Sequence, residues 1–171
     1  VAVDSNPIDT VWRDRPAVPL APVALHRPAY AGEGANEKIN RIRAKLKDSN
    51  ADAIVITDAH AVAWIFNIRG GDVGHTPLPL GFAIVPREGK PELFMDGRKF
   101  SNTVRDAVSD LADIAEPFAL ETALDRHHVL CWLYVSHASK LDHLLLERWS
   151  ACRVDDGASF SLRSNESSIH D

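Results

Sequence analysis

The chain has 171 residues, 45% of them hydrophobic and 25% charged, with a net charge of −5. That is the make-up of one ordinary globular domain, long enough to bury roughly 70% of the surface its unfolded chain exposes. The acidic balance argues against nucleic acid or an anionic membrane as partner, and no apolar run approaches the roughly 20 residues of a membrane span. The start, Val1-Ala2-Val3-Asp4, has neither the basic nor the apolar block of a secretory signal. Methionine occurs only at Met95. The expectation is a cytoplasmic fragment or processed product, with Cys131 and Cys152 as free thiols.

Residues 1–34 hold five of the ten prolines, Pro7, Pro16, Pro19, Pro22 and Pro28. Proline removes donors and disfavours helix before it, so this stretch reads as an extended connector. Asn6 and Pro7 allow one helical turn up to Trp12. Ile39, Ile42 and Leu46 then mark one face of a helix, with Lys38, Arg41, Lys45 and Lys47 off that face. Asn50 suits the left-handed residue that ends it. Ala53 to Thr57 is a short apolar strand of the kind covered on both faces. Asp58 caps a second helix that turns Val62, Ile65 and Phe66 inward.

A glycine-rich loop, Arg69-Gly70-Gly71-Asp72-Val73-Gly74-His75-Thr76-Pro77, follows. Leu80 to Val85 and Glu92 to Met95 form a hairpin turned at Glu88-Gly89. Phe100, Val104, Ala107, Val108 and Leu111 trace a third helix. Next come a strand near Asp113–Glu116, a short helix over Leu120–Asp125 and an apolar strand over Val129–Val135. A last helix carries Leu141, Leu144, Leu145 and Trp149, and Arg153-Val154 suggests a final strand. Helical crossovers make strand neighbours parallel, and the hairpin makes one pair antiparallel. The fold class is therefore α/β, a mixed sheet flanked by helices with one β-hairpin. We divide it into a connector (1–34), a domain (35–156) and a serine-rich tail or linker (157–171).

Chemistry-bearing motifs are sparse. The glycine loop is neither a dinucleotide fingerprint nor a Walker motif. His127, His128 and Cys131, with His137 and His143 nearby, lack the paired arms of a zinc site. No G-x-S-x-G elbow occurs, and Cys131 sits in an apolar strand where burial makes a thiol inert. The carboxylates Asp96, Asp106, Asp110 and Asp113 read as a strand end and a charged helix surface. No catalytic residue and no metal ligand is assigned.

Taken in order, several segments resemble three-domain, cytosolic-type aminopeptidase P. Asn6-Pro7-Ile8-Asp9, Trp12 and Asp14-Arg15-Pro16 are similar to the connector between its first two domains. His26, Tyr30-Ala31-Gly32-Glu33, Glu37-Lys38-Ile39 and Ala51-Asp52-Ala53 continue the likeness. The run Ala63-Trp64-Ile65-Phe66-Asn67-Ile68-Arg69-Gly70-Gly71-Asp72-Val73 is similar to the family's Trp-Leu-x-Asn-x-Arg-Gly-x-Asp. Pro77, Phe82–Val85 and Glu92–Asp96 stay in register. The resemblance covers residues 4–126 and thins beyond Arg126.

It implies the creatinase-type N-terminal (middle) domain of an Xaa-Pro aminopeptidase, whose parent enzyme removes the residue preceding proline with two divalent metals, typically manganese. The family's ligands, two Asp, a His and two Glu, belong to a catalytic domain whose motifs do not occur in this sequence. The expectation is a non-catalytic accessory domain, inactive alone and without cofactor of its own. Its partners would be the missing catalytic domain or a sister subunit, with proline-containing peptides bound by the parent. In such domains a loop can restrict the cleft. Arg69, Asp72 and His75 are the candidates here: Arg69 to meet a carboxylate, Asp72 to anchor that arginine or cap a turn, and His75 to line the cleft. The alternatives are a stand-alone interaction module and a small-ligand domain built on the glycine loop.

Overall fold

A computed structural model describes residues 11, 14 and 16–126, with the backbone of 131–134 and 152–155. Apart from Val11, which is helical, the helical turn at Pro7–Trp12 lies outside the described residues, as do the helix through Leu141–Trp149, the histidine-rich stretch at 127–128, 137 and 143, and the 157–171 tail.

In chain order the elements are β1 (Ala24–Leu25), α1 (Pro28–Ala31), α2 (Ala35–Asp48), β2 (Ala53–Ile56), α3 (Ala59–Ile65), β3 (Ile68–Arg69), β4 (Phe82–Pro86) and β5 (Glu92–Phe94). A 3₁₀ turn (Gly97–Lys99), α4 (Asn102–Ser109), β6 (Asp113–Ala115), a second 3₁₀ turn (Pro117–Ala119), α5 (Leu120–Arg126), β7 (Cys131–Tyr134) and β8 (Cys152–Asp155) complete them. Among the described residues a six-stranded sheet runs β6-β5-β4-β2-β7-β8. The pairs β2/β4 and β4/β5 are antiparallel, while β2/β7, β5/β6 and β7/β8 are parallel. The sheet is mixed, as expected, but it holds two antiparallel pairs rather than the one the hairpin supplies: the connection from β2 through α3 and the glycine loop returns β4 antiparallel to β2.

Helices cover both faces. Ile54, Ile56, Val85 and Leu93 point into one core layer with Ile42 and Leu46 of α2, Val62 and Ile65 of α3, and Val104 and Val108 of α4. Ala53, Val55, Ile84 and Phe94 meet Leu120, Ala123 and Leu124 of α5 on the other side. Every residue of β2 is buried, which is why its sequence runs apolar without alternation. Asp58 caps α3 by accepting from the amides of His60 and Ala61. Asn50 takes the expected left-handed φ of 51°.

Three further differences from the sequence reading have physical causes. First, the proline-rich stretch is partly folded: Val23 is 5% exposed in the core, and β1 pairs antiparallel with β3. Pro28 at the first helical position starts α1, and Gly32 at φ 73° ends it. Second, β4 starts at Phe82 rather than Leu80, because the Leu80 amide and carbonyl are already bonded to Asp72 and Lys99. Third, Lys38 of α2 does not sit on a solvated face but is 1% exposed.

Asp96 caps the first 3₁₀ turn and chelates the Arg98 guanidinium at 2.6–3.2 Å. The side-chain hydrogen bonds from Arg98, then its backbone amide, lower the Asp96 pKa to about 2. A depressed carboxylate pKa adds stability above the unfolded value of about 3.9, lost as pH falls through the folded one. We predict that Asp96→Asn flattens the stability profile between about pH 4 and about pH 2. An unchanged acid limb in urea unfolding across that range would refute the assignment.

Candidate functional site

The run Trp64–Asp72 leaves the C-terminus of α3, passes through β3 and enters the glycine loop. Each of its polar side chains has a defined partner. Asn67 follows the helix at φ 51°, a conformation asparagine tolerates better than most residues. Its Oδ1 accepts from Lys38 Nζ at 2.6 Å, and its Nδ2 donates to the Glu33 carbonyl at 2.9 Å. Its backbone carbonyl accepts from the His26 amide at 2.7 Å. Lys38 Nζ also donates to the Trp64 carbonyl at 2.8 Å and lies 4.5 Å from the Trp64 ring centroid, with the Arg41 guanidinium 5.3 Å from it. Burial lowers the Lys38 pKa, and the nearby Glu33 carboxylate opposes that effect. A buried cation needs acceptors; here a carbonyl, an amide oxygen and a π face supply them.

Arg69 points back along its own chain. Its Nη1 donates to the Ile68 carbonyl at 2.8 Å and to the Ala63 carbonyl at 3.3 Å. Ala63 lies in the last turn of α3, where carbonyls lack intrahelical donors and a cation is favoured. Gly70 is set by space: a Cβ there would lie 2.8 Å from Pro79 backbone atoms. The Gly70 and Asp72 amides donate to the Pro77 and Leu78 carbonyls, which closes the loop into a narrow ribbon.

Asp72 takes Lys99, not Arg69, as its cation. Lys99 Nζ and Asp72 Oδ2 are 2.6 Å apart, and the two side chains are 2% and 0% exposed. Oδ2 also accepts from the Leu80 amide at 2.7 Å, and Oδ1 from the Ala21 amide at 3.1 Å. A buried ion pair holds only when its remaining lone pairs are satisfied, and these two amides do that. His75 stands apart from both. It is exposed at the tip, at φ 63°, where a non-glycine residue bears about 1–2 kcal/mol of strain. The Thr76 amide donates to the Val73 carbonyl at 3.2 Å and closes the tip turn.

The three candidates therefore separate. Arg69 braces a helix end, Asp72 is a buried anchor, and only His75 faces solvent. Lys38 and Lys99, which the sequence reading did not single out, are the cations that matter. Lys99 sits in Asp96-Gly97-Arg98-Lys99, which by itself reads as surface charge, and its partner is 27 residues away. Among the described residues no three His, Cys, Asp or Glu side chains converge as a metal centre requires. The two metals implied by the resemblance thus have no ligand set there.

The family model described as Creatinase/Prolidase N-terminal domain matches residues 14–156. A protein of Sordaria macrospora named probable Xaa-Pro aminopeptidase P is 34% identical over 118 residues, which cover 68% of this chain and 19% of the relative. Aminopeptidase P1 of Arabidopsis thaliana is 35% identical over 102 residues, 60% of this chain and 16% of the relative. The chain thus spans less than a fifth of the length of the curated relatives it matches. Its fold is similar to part of the X-prolyl aminopeptidase of Caenorhabditis elegans, described as a cytosolic enzyme with a di-nuclear active site. That match has a TM-score of 0.79 at 22% identity and covers 93% of this chain and 27% of that one. The N-terminal domain of the cytoplasmic peptidase PepQ from Mycobacterium tuberculosis matches at 17% identity with TM-score 0.54, over 74% of this chain and 98% of that one.

The glycines of the loop give a paired prediction. Gly70→Ala should cost about 1–3 kcal/mol by overpacking against Pro79. Gly74→Ala, with nothing within 4 Å of its Cβ position, should stay within about 0.5 kcal/mol of the parent. Equal denaturation midpoints for the two variants would contradict the close approach of Gly70 to Pro79.

Proposed function

The chain belongs to the Creatinase/Prolidase N-terminal domain family, and on that basis we propose that it is a non-catalytic accessory domain of an Xaa-Pro aminopeptidase. The observation that carries the proposal is the ordered match to relatives named Xaa-Pro aminopeptidase P, over less than a fifth of their length. Fold alone does not grant activity. The parent reaction would be removal of the residue before proline by two divalent metals, manganese in our reading, which supply an activated water and charge stabilisation when bound. The described residues offer no ligand set for that pair, so no step of the reaction is assigned to them.

What this domain would contribute is shape. The braced ribbon from Arg69 to Leu80 holds His75 out on a short, closed turn, a form suited to narrowing the peptide cleft of a catalytic domain or sister subunit. Exposed apolar side chains follow the same ribbon: Val73 is 37% and Leu80 40% exposed, with Leu20 at 42% beside Ala21. They support docking against that partner, and equally the stand-alone interaction module. We place the protein in the cytoplasm, by likeness to the cytosolic enzyme of C. elegans.

The purified chain should release no N-terminal residue from an Xaa-Pro tripeptide, with or without manganese, and should bind no stoichiometric manganese in calorimetric titration. Metal-dependent release would overturn the accessory-domain reading. Stable self-association of an inactive chain, measured by light scattering, would favour the interaction module instead.

A further inference from the structure

We infer that the buried Asp72–Lys99 pair is a latch: it makes docking of the entering segment (residues 16–25) and closure of the glycine ribbon (residues 70–81) one cooperative event, separable from the six-stranded sheet. The two oxygens of Asp72 divide between those segments. Oδ1 accepts from the Ala21 amide of the entering segment. Oδ2 accepts from the Leu80 amide of the ribbon and from Lys99 Nζ. Lys99 repeats the division: its Nζ donates to the Leu80 carbonyl at 3.2 Å, and its backbone carbonyl accepts from the Val23 amide at 2.9 Å. The ion pair therefore joins both strips: the ribbon through the side chains of both members, and the entering segment through the Asp72 carboxylate, with the Lys99 backbone carbonyl holding Val23 beside it. The strips also touch directly, since a Cβ on Gly71 would lie 3.4 Å from the Ala21 Cβ.

The central sheet does not share this dependence. Its strands are bonded to one another along β2, β4 and β5, and its helices pack on apolar side chains. Removing one charge of the pair leaves the other buried without compensation. The local remedy is for the strips to open and admit water, which requires both to leave. Coupling of this kind is reciprocal, so displacement of the entering segment is felt at the exposed turn Val73–His75, and a contact at that turn is felt along residues 16–25. The latch rests on the ion pair itself and stands whether or not the accessory-domain reading holds.

The test is residue-resolved amide hydrogen exchange on the full chain, as parent, Asp72→Asn, Lys99→Met and Ala21→Pro. The first two variants should speed exchange at Val23 and His26 and at Asp72 and Leu80 together, by about 100-fold or more, with the β2/β4 ladder unchanged. Ala21→Pro keeps both charges of the pair and removes the entering segment's donor to Asp72, and it should also speed exchange at Leu80. Ribbon amides that loosen while Val23 and His26 keep their protection would overturn the latch. So would an Ala21→Pro variant with unchanged ribbon exchange, or acceleration spread evenly through the sheet.

Discussion

A charge taken out of water must be compensated where it is buried, and two lysines of this small domain are taken out of water. Lys38 is met by the Trp64 carbonyl and the Asn67 side chain. Lys99 is met by the Asp72 carboxylate. The two ammonium groups fasten opposite ends of one run, Trp64 to Asp72, and that run joins α3 to the glycine ribbon. Between them Asn67 collects His26, Glu33 and Lys38, while Asp72 collects Ala21, Leu80 and Lys99. These two residues each hold one point of the proline-rich segment, beside the buried Val23 side chain and the β1/β3 pair.

That arrangement changes the meaning of the most recognisable stretch of the sequence. A Trp-…-Asn-…-Arg-Gly-…-Asp pattern invites a reading as a binding site, since it concentrates polar side chains around glycine. In the folded chain nearly all of that polarity is directed inward. Arg69 returns to the end of α3, Gly70 makes room for Pro79, and Asp72 is sealed from solvent. What remains exposed is the turn the run supports, with His75 at its tip and Val73 and Leu80 on its flanks. In this chain the pattern chiefly builds the turn that carries His75.

Local features were legible from the sequence because local rules govern them. The stripe Ile39, Ile42, Leu46 is one helix face; Asp58 can satisfy free amides; Val85 and Leu93 flank an obvious turn. The long-range features were not. No periodicity says that Lys38 is buried while Arg41 is not, because the difference lies in the carbonyl of Trp64 and the amide of Asn67 across the helix pair. No spacing ties Asp72 to Lys99. The two-residue strands β1 and β3 are too short to carry a pattern, and Val23 is one apolar residue among prolines. The order β6-β5-β4-β2-β7-β8 sets β2 between β4 and β7, an arrangement of the assembled molecule that no local pattern specifies.

The central claim is that the ribbon is held by a fully desolvated ion pair. A double-mutant cycle in urea unfolding tests it most directly, with Asp72→Asn, Lys99→Met and the double variant. Each single change should cost about 3–5 kcal/mol by stranding a buried charge, and the double variant should lose far less than their sum, which gives a coupling above about 2 kcal/mol. A coupling near zero, with small additive losses like those of an exposed pair, would contradict the account.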